Sequence, residues 1–126
     1  TSKPPASSGV KPTADGEYLY FDPAVFHADF AADLPASDAS FMARSQVLAS
    51  KRASTTANVS PAWRTKKSWA IVATNDRTIN PELERHMAKR AGSKITEIPS
   101  SHAVFLSHPE QVAELIWKAA RESGKD

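Results

Sequence analysis

The sequence predicts an α/β fold on three observations: a short apolar run between loops, a proline-started amphipathic segment after it, and the same strand-then-helix order repeated to the end. The apolar run, Ser68-Trp-Ala-Ile-Val-Ala73, has the composition of a strand buried on both faces of a parallel sheet. Asn80-Pro81 opens a helix that Gly92 closes, with Leu83, Met87 and Ala91 along one side. Lys94-Ile-Thr-Glu-Ile98 reads as the second strand, although Ile95 and Ile98 break strict alternation. Pro109 stands in the first turn of a last helix, whose Val112, Leu115, Ile116, Ala119 and Ala120 form one apolar face before Gly124. Strand, helix, strand in this order means two parallel strands joined by a crossover.

The upstream residues have a different character. Residues 1–16 are rich in Pro, Gly, Ser, Thr and Lys and read as a disordered tail or linker, because they hold too little apolar surface to order themselves. Residues 17–62 read as a helical segment. Asp22-Pro23 caps a short helix with Phe26 and Phe30 one turn apart, and Leu34-Pro35 stops it. Ser37 or Asp38 caps a second helix through about Ser50, using Phe41, Met42 and Leu48, and residues 51–60 read as a loop. Residues 63–126 are the strand-helix-strand-helix portion.

Composition narrows the function. A chain of 126 residues, 40% apolar, is one domain or part of one. Sixteen Lys and Arg against fourteen Asp and Glu, with the signs interspersed, give no basic face for nucleic acid. No apolar run approaches the ~20 residues of a membrane helix. Without cysteine there are neither disulfides nor thiolate metal sites, and His27, His86, His102 and His108 lack the paired spacing of a zinc site, so neither metal nor cofactor is expected. Thr1 rather than Met opens the chain, which reads as a beginning after something removed or left out. With no signal segment, a cytoplasmic location is the default.

In an open parallel sheet, functional groups collect in loops past the carboxyl ends of the strands. Two loops qualify: Thr74-Asn-Asp-Arg-Thr-Ile-Asn-Pro81 offers a carboxylate, and Pro99-Ser-Ser-His-Ala-Val-Phe105 offers an imidazole. A buried carboxylate on one ring N–H fixes the imidazole tautomer and stabilises the imidazolium, which is what a general base needs. Asp76 and His102, one crossover unit apart, are the candidates. Taken alone, Asp76 reads as a turn or helix-capping residue beside Asn75, and His102 as a loop histidine satisfied by backbone.

Ala73-Thr-Asn-Asp76-Arg-Thr-Ile-Asn-Pro81 followed by Ser101-His102-Ala-Val-Phe-Leu-Ser-His-Pro109-Glu resembles the C-terminal part of esterase-like bacterial α/β-hydrolases. The resemblance covers roughly residues 63–122, and more loosely the family's lid over 17–62. It implies the C-terminal portion of an α/β-hydrolase fold, with Asp76 as the triad acid and His102 as the general base. The nucleophile of that family sits in a Gly-x-Ser-x-Gly elbow. The glycines here are Gly9, Gly16, Gly92 and Gly124, and no two are four apart. Neither the elbow nor a Gly-rich oxyanion loop is present in these residues, so both are expected upstream of Thr1 or on another chain. Ser100 and Ser101, adjacent to the base with no elbow to aim them, do not replace it.

Two functions follow from the resemblance. One is half of a serine hydrolase acting on a small carboxylic ester, completed by an N-terminal half or partner chain. The other is a non-catalytic remnant or interaction module that keeps the scaffold. A complete sheet of this family has about eight strands, against two here. The isolated chain is therefore expected to expose apolar faces on the Val112 helix and the Trp69 strand.

Overall fold

The computed structural model describes residues 8–124, whose strands form two small sheets. The first is antiparallel, built from β1 (Val10–Pro12), β2 (Tyr18–Phe21) and β3 (Ala49–Ser50) in that spatial order. The expected tail is thereby corrected. Residues 1–7 lie outside the described residues, but Val10–Pro12 pairs with Leu19–Phe21 through a turn where Gly16 takes φ +73°. Composition hid this strand because backbone hydrogen bonds hold it rather than apolar burial: all three residues are exposed.

Asp22 caps α1 (Pro23–Phe30), accepting from the Ala24 N–H, and Pro23 fills the first turn. Phe26 and Phe30 stack with ring centroids 4.8 Å apart, and Phe21 meets both edge-on. The second helix, α2 (Ala36–Arg44), ends six residues before the expected Ser50. Gln46 explains the stop. Its side-chain amide donates to the Ala43 and Phe21 carbonyls and accepts from the Phe21 N–H, so the chain leaves the helix to run beside β2. Of the expected Phe41-Met42-Leu48 stripe, only Met42 packs against the core, partly buried. Ala39 and Ala43 pack inward, while Phe41 is 69% exposed. Small residues let α2 approach α1 closely, which a stripe sought by large side chains misses. Where a loop was expected, Lys51–Thr55 forms a single exposed turn of helix, α3. The core of this half joins Phe21, Phe26, Ala31, Ala39 and Ala43 to Ala103, which arrives from the far end of the chain.

After a 3₁₀ turn at Ala62–Arg64 comes β4 (Trp69–Ala73), then α4 (Pro81–Arg90), β5 (Lys94–Ile98), the short α5 (Val104–Ser107) and α6 (Pro109–Ser123). The two strands pair in parallel with Ala73 opposite Ile98, as the crossover order requires. Asn80 caps α4 by accepting from Glu82 N–H, and Gly92 ends it at φ +66°. Glu97 on β5 bonds Arg85 of α4, whereas Lys94 bonds Glu122 of α6. Residues 94 and 97 point to opposite faces of the strand, so the two helices lie on opposite sides of the sheet. The expected stripe on α4 is corrected as well. Leu83 and Met87 are about half exposed, and Ala88 makes the buried contact. On α6 no residue is buried, with Ile116 at 64% and Trp117 at 60% exposure. Two strands offer too little surface to cover these helices. Among the described residues, no helix is long and apolar enough to cross a membrane.

Phe26 is 4% exposed and Phe41 is 69% exposed. Phe26→Ala should therefore cost about 3 kcal/mol in urea unfolding, and Phe41→Ala less than about 0.5 kcal/mol. Equal losses would place the core elsewhere.

Candidate active site

The register of the two parallel strands sets up the site. Past their ends, the Thr74 N–H donates to the Ile98 carbonyl and the Asn75 N–H to the Ser100 carbonyl, so the two loops stay zipped together. Three residues beyond Ala73 lies Asp76, and four beyond Ile98 lies His102. They meet with His102 Nδ1 2.6 Å from Asp76 Oδ2. The Asp76 side chain is fully buried, while that of His102 is 27% exposed. The other Asp76 oxygen accepts from the Thr78 and Ile79 N–H groups at 2.6 and 3.0 Å. Burial by itself would raise the Asp76 carboxyl. The hydrogen bond to His102, the Ile79 N–H, the His102 charge and the Thr78 N–H together outweigh it and hold the group below the ordinary carboxylate range.

Both loops are strapped from one side by the end of α1 and the turn after it. Asp29 pairs with Arg77 at 3.0 Å, and its carbonyl accepts from Thr78 Oγ1 at 2.9 Å, which ties down the acid loop. The Phe30 carbonyl accepts from the Ala103 N–H at 3.1 Å, and the Phe30 ring lies 4.6 Å from the imidazole. Asp33 accepts from the Ser101 N–H at 2.9 Å and from the Ser101 hydroxyl, which fixes the histidine loop. Burial opposes ionisation of Asp33, but the hydrogen bonds from Ser101 and Ser107 hold its carboxyl below the usual value.

Of the other residues weighed in the sequence, Ser100 and Ser101 are buried within the loop framework, their hydroxyls engaged by the Ser101 carbonyl and by Asp33. His86 is exposed on α4, and His108 stands at the start of α6 with its Nδ1 2.9 Å from Ser107 Oγ. The Arg64 and Arg90 guanidiniums each lie over the Trp63 ring, and the Lys94 ammonium lies over Trp69. Sequence reading missed Glu84. Its carboxyl approaches Asp76 and His102 so that one ligand atom from each lies within 4.8 Å of the others. This is the one grouping among the described residues with metal-ligand atoms in mutual reach, although Asp76 already spends its oxygens on His102, Thr78 and Ile79. The signal was available in principle: Glu84 is one turn past the Asn80 cap, on the helix that the acid loop leads into.

A buried carboxylate hydrogen-bonded to an imidazole thus stands past the carboxyl ends of adjacent parallel strands, where an α/β scaffold collects functional groups. The model of the alpha/beta hydrolase family matches residues 3–115, and this chain belongs to that family. Solved structures similar to it include three of PytH. A variant of PytH has a TM-score of 0.78 at 22% identity, over 99% of this chain and 51% of that one. The pyrethroid hydrolase PytH with BIF has a TM-score of 0.76 at 22% identity, over 99% and 52%. A second PytH variant, also described as a pyrethroid hydrolase, has a TM-score of 0.71 at 24% identity, over 99% and 51%. The chain thus spans about half the length of the proteins it matches. No curated protein matches it.

Asp33→Ala should leave the Ser101 amide without its acceptor, at about 1–3 kcal/mol, and speed hydrogen exchange at that amide about tenfold or more. Unchanged exchange would remove Asp33 from the strap. For Asp76, the folded value lies below that of an ordinary aspartate. Its stabilisation is present above the unfolded value and is lost as pH falls through the lower folded one. Wild type should therefore lose more stability than Asp76→Asn between about pH 5 and pH 2. Parallel urea midpoints for the two proteins over that range would contradict this.

Proposed function

We propose that this chain is the acid-and-base half of a serine hydrolase acting on carboxylic esters, with Asp76 as the triad acid and His102 as the general base. The observation that carries the reading is the 2.6 Å contact from His102 Nδ1 to a carboxylate that is fully buried. That contact holds the proton on Nδ1 and leaves Nε2 as the basic nitrogen. In the proposed reaction Nε2 takes the hydroxyl proton as serine attacks the ester carbonyl. Asp76 stabilises the imidazolium, which then returns the proton to the departing alkoxide. The serine, in its Gly-x-Ser-x-Gly elbow, and the oxyanion donors come from an N-terminal hydrolase half or partner chain. Similarity to proteins described as pyrethroid hydrolases supports hydrolysis as the reaction class. Resemblance to esterase-like members supports an ester as the substrate class.

The test is reconstitution. A separately produced N-terminal half of an α/β-hydrolase carrying the serine elbow, mixed with this chain, is expected to hydrolyse a small chromogenic ester. His102→Ala should lower the rescued rate by about 10³-fold or more, and Asp76→Asn by a comparable factor. Rescue that survives His102→Ala would reject His102 as the base. Binding of the two halves without hydrolysis would favour the non-catalytic module, the reading suggested by the lack of an elbow among these 126 residues.

A further inference from the structure

The proton relay of Asp76 and His102 leaves Glu84 without a part, although it lies against both. Glu84 projects from the first half of α4, where Oε2 accepts the N–H of Ala73 at 3.2 Å. Ala73 is the last residue of β4, three before Asp76, so the same short stretch of backbone holds both carboxyls. The side chain is partly buried. Facing it are Asp76 from the acid loop, His102 from the histidine loop and the Ala73 amide from β4. Its neighbour Arg85 is turned away, onto Glu82 and Glu97. Two carboxyls with oxygens inside 4.8 Å do not both ionise freely.

We propose that Glu84 is a positioning residue for the Asp76–His102 pair: it shares a proton with Asp76 and so sets the negative charge that faces the imidazole. The inference rests on the assignment of Asp76 and His102 as acid and base. Burial, the Asp76 charge and the Asp76 hydrogen bond push the Glu84 carboxyl up to about 7, against the opposing pull of the Ala73 N–H and the His102 charge. Protonated Glu84 donates to Asp76 and draws charge away from the Nδ1 proton. Ionised Glu84 adds a second negative charge beside the ring. For folding, because the Glu84 value lies above that of an ordinary glutamate, its contribution to stability is complete below the ordinary value and is lost as pH rises toward about 7.

The experiment is a carboxyl-carbon NMR titration of the whole chain, in wild type and in Glu84→Gln, each also carrying His102→Ala to remove the ring's own titration from the record. The Glu84 carboxyl is expected to titrate near neutrality, with the Asp76 carboxyl shifting in the same step. That Asp76 step should persist in His102→Ala and disappear in Glu84→Gln/His102→Ala. Glutamine keeps the acceptor for Ala73 N–H, so loss of the step reports the shared proton rather than the helix contact. A Glu84 titration at the ordinary glutamate value, or an Asp76 curve indifferent to Glu84→Gln, would overturn the proposal. Should Glu84→Gln fail to fold, the wild-type titration decides alone. None of these readings needs a serine: a failed titration leaves the hydrolase reading standing, and a failed reconstitution leaves the carboxyl pair standing.

Discussion

A carboxylate withdrawn from water has to be given hydrogen-bond donors, and much of this molecule is arranged around meeting that need for Asp76. Two of its donors are local, the Thr78 and Ile79 amides of a turn that folds back on the aspartate. The third, His102, comes from the next strand, and it reaches Asp76 only because β4 and β5 pair in parallel with Ala73 opposite Ile98. A shift of that register would separate the two groups by more than a hydrogen bond and leave a buried charge without its partner. The site therefore constrains the sheet as much as the sheet positions the site.

The same requirement explains why the helical residues before the sheet belong to the site. The end of α1 and the turn after it carry Asp29, Phe30 and Asp33, which hold Arg77 and Thr78 on one side and Ser101 and Ala103 on the other. Ala103, immediately after His102, is buried in the core of that upstream half. A loop histidine would ordinarily be free to swing. Here one neighbour is bonded to Asp33 and the other is packed among Phe26 and Ala39, so the ring is left little rotation except about its own side-chain bonds. The residues 17–62 that resemble a lid thus also fix the orientation of the candidate base.

Elements with a strong local signal were legible in the sequence. Asp22-Pro23 and Asn80-Pro81 start helices with their side chains bonded as caps, Gly92 ends one, and the apolar run at Trp69–Ala73 and the Lys94–Ile98 segment are the parallel strands. Asp76 and His102 were legible because both follow a strand, and the structure brings them into contact. What escaped had its cause in distant contacts. Val10–Pro12 becomes a strand through pairing with β2, and α2 stops early because Gln46 bonds to Phe21, 25 residues away. The helix faces were misjudged for a related reason. Periodicity locates the apolar side of a helix, but Ala39, Ala43 and Ala88 are the buried residues, while Phe41, Leu83 and Met87 remain largely outside. Glu84 reads as a solvated helix residue until its rotation toward Ala73 is known.

The large residues left outside form a pattern. Thr74 N–H and Lys94 N–H bond across the β4–β5 pair, which puts the even-numbered residues of β4 toward β5 and turns the amides of Trp69, Ile71 and Ala73 to the opposite edge. At that edge Ala73 is met by Glu84. On the two faces of the sheet, α4 keeps Leu83 and Met87 half exposed and α6 keeps Ile116 and Trp117 more than half exposed. Among the described residues no further strand pairs with this edge, which lies between two partly covered helices and is the surface that further parallel strands would extend. On the proposed reading those strands bring the serine. They would arrive beside β4, whose end leads directly into Asp76, so the surface that completes the fold is continuous with the one that completes the chemistry. Glu84 stands at their junction, holding the last edge amide with one oxygen while its carboxyl faces Asp76 and His102.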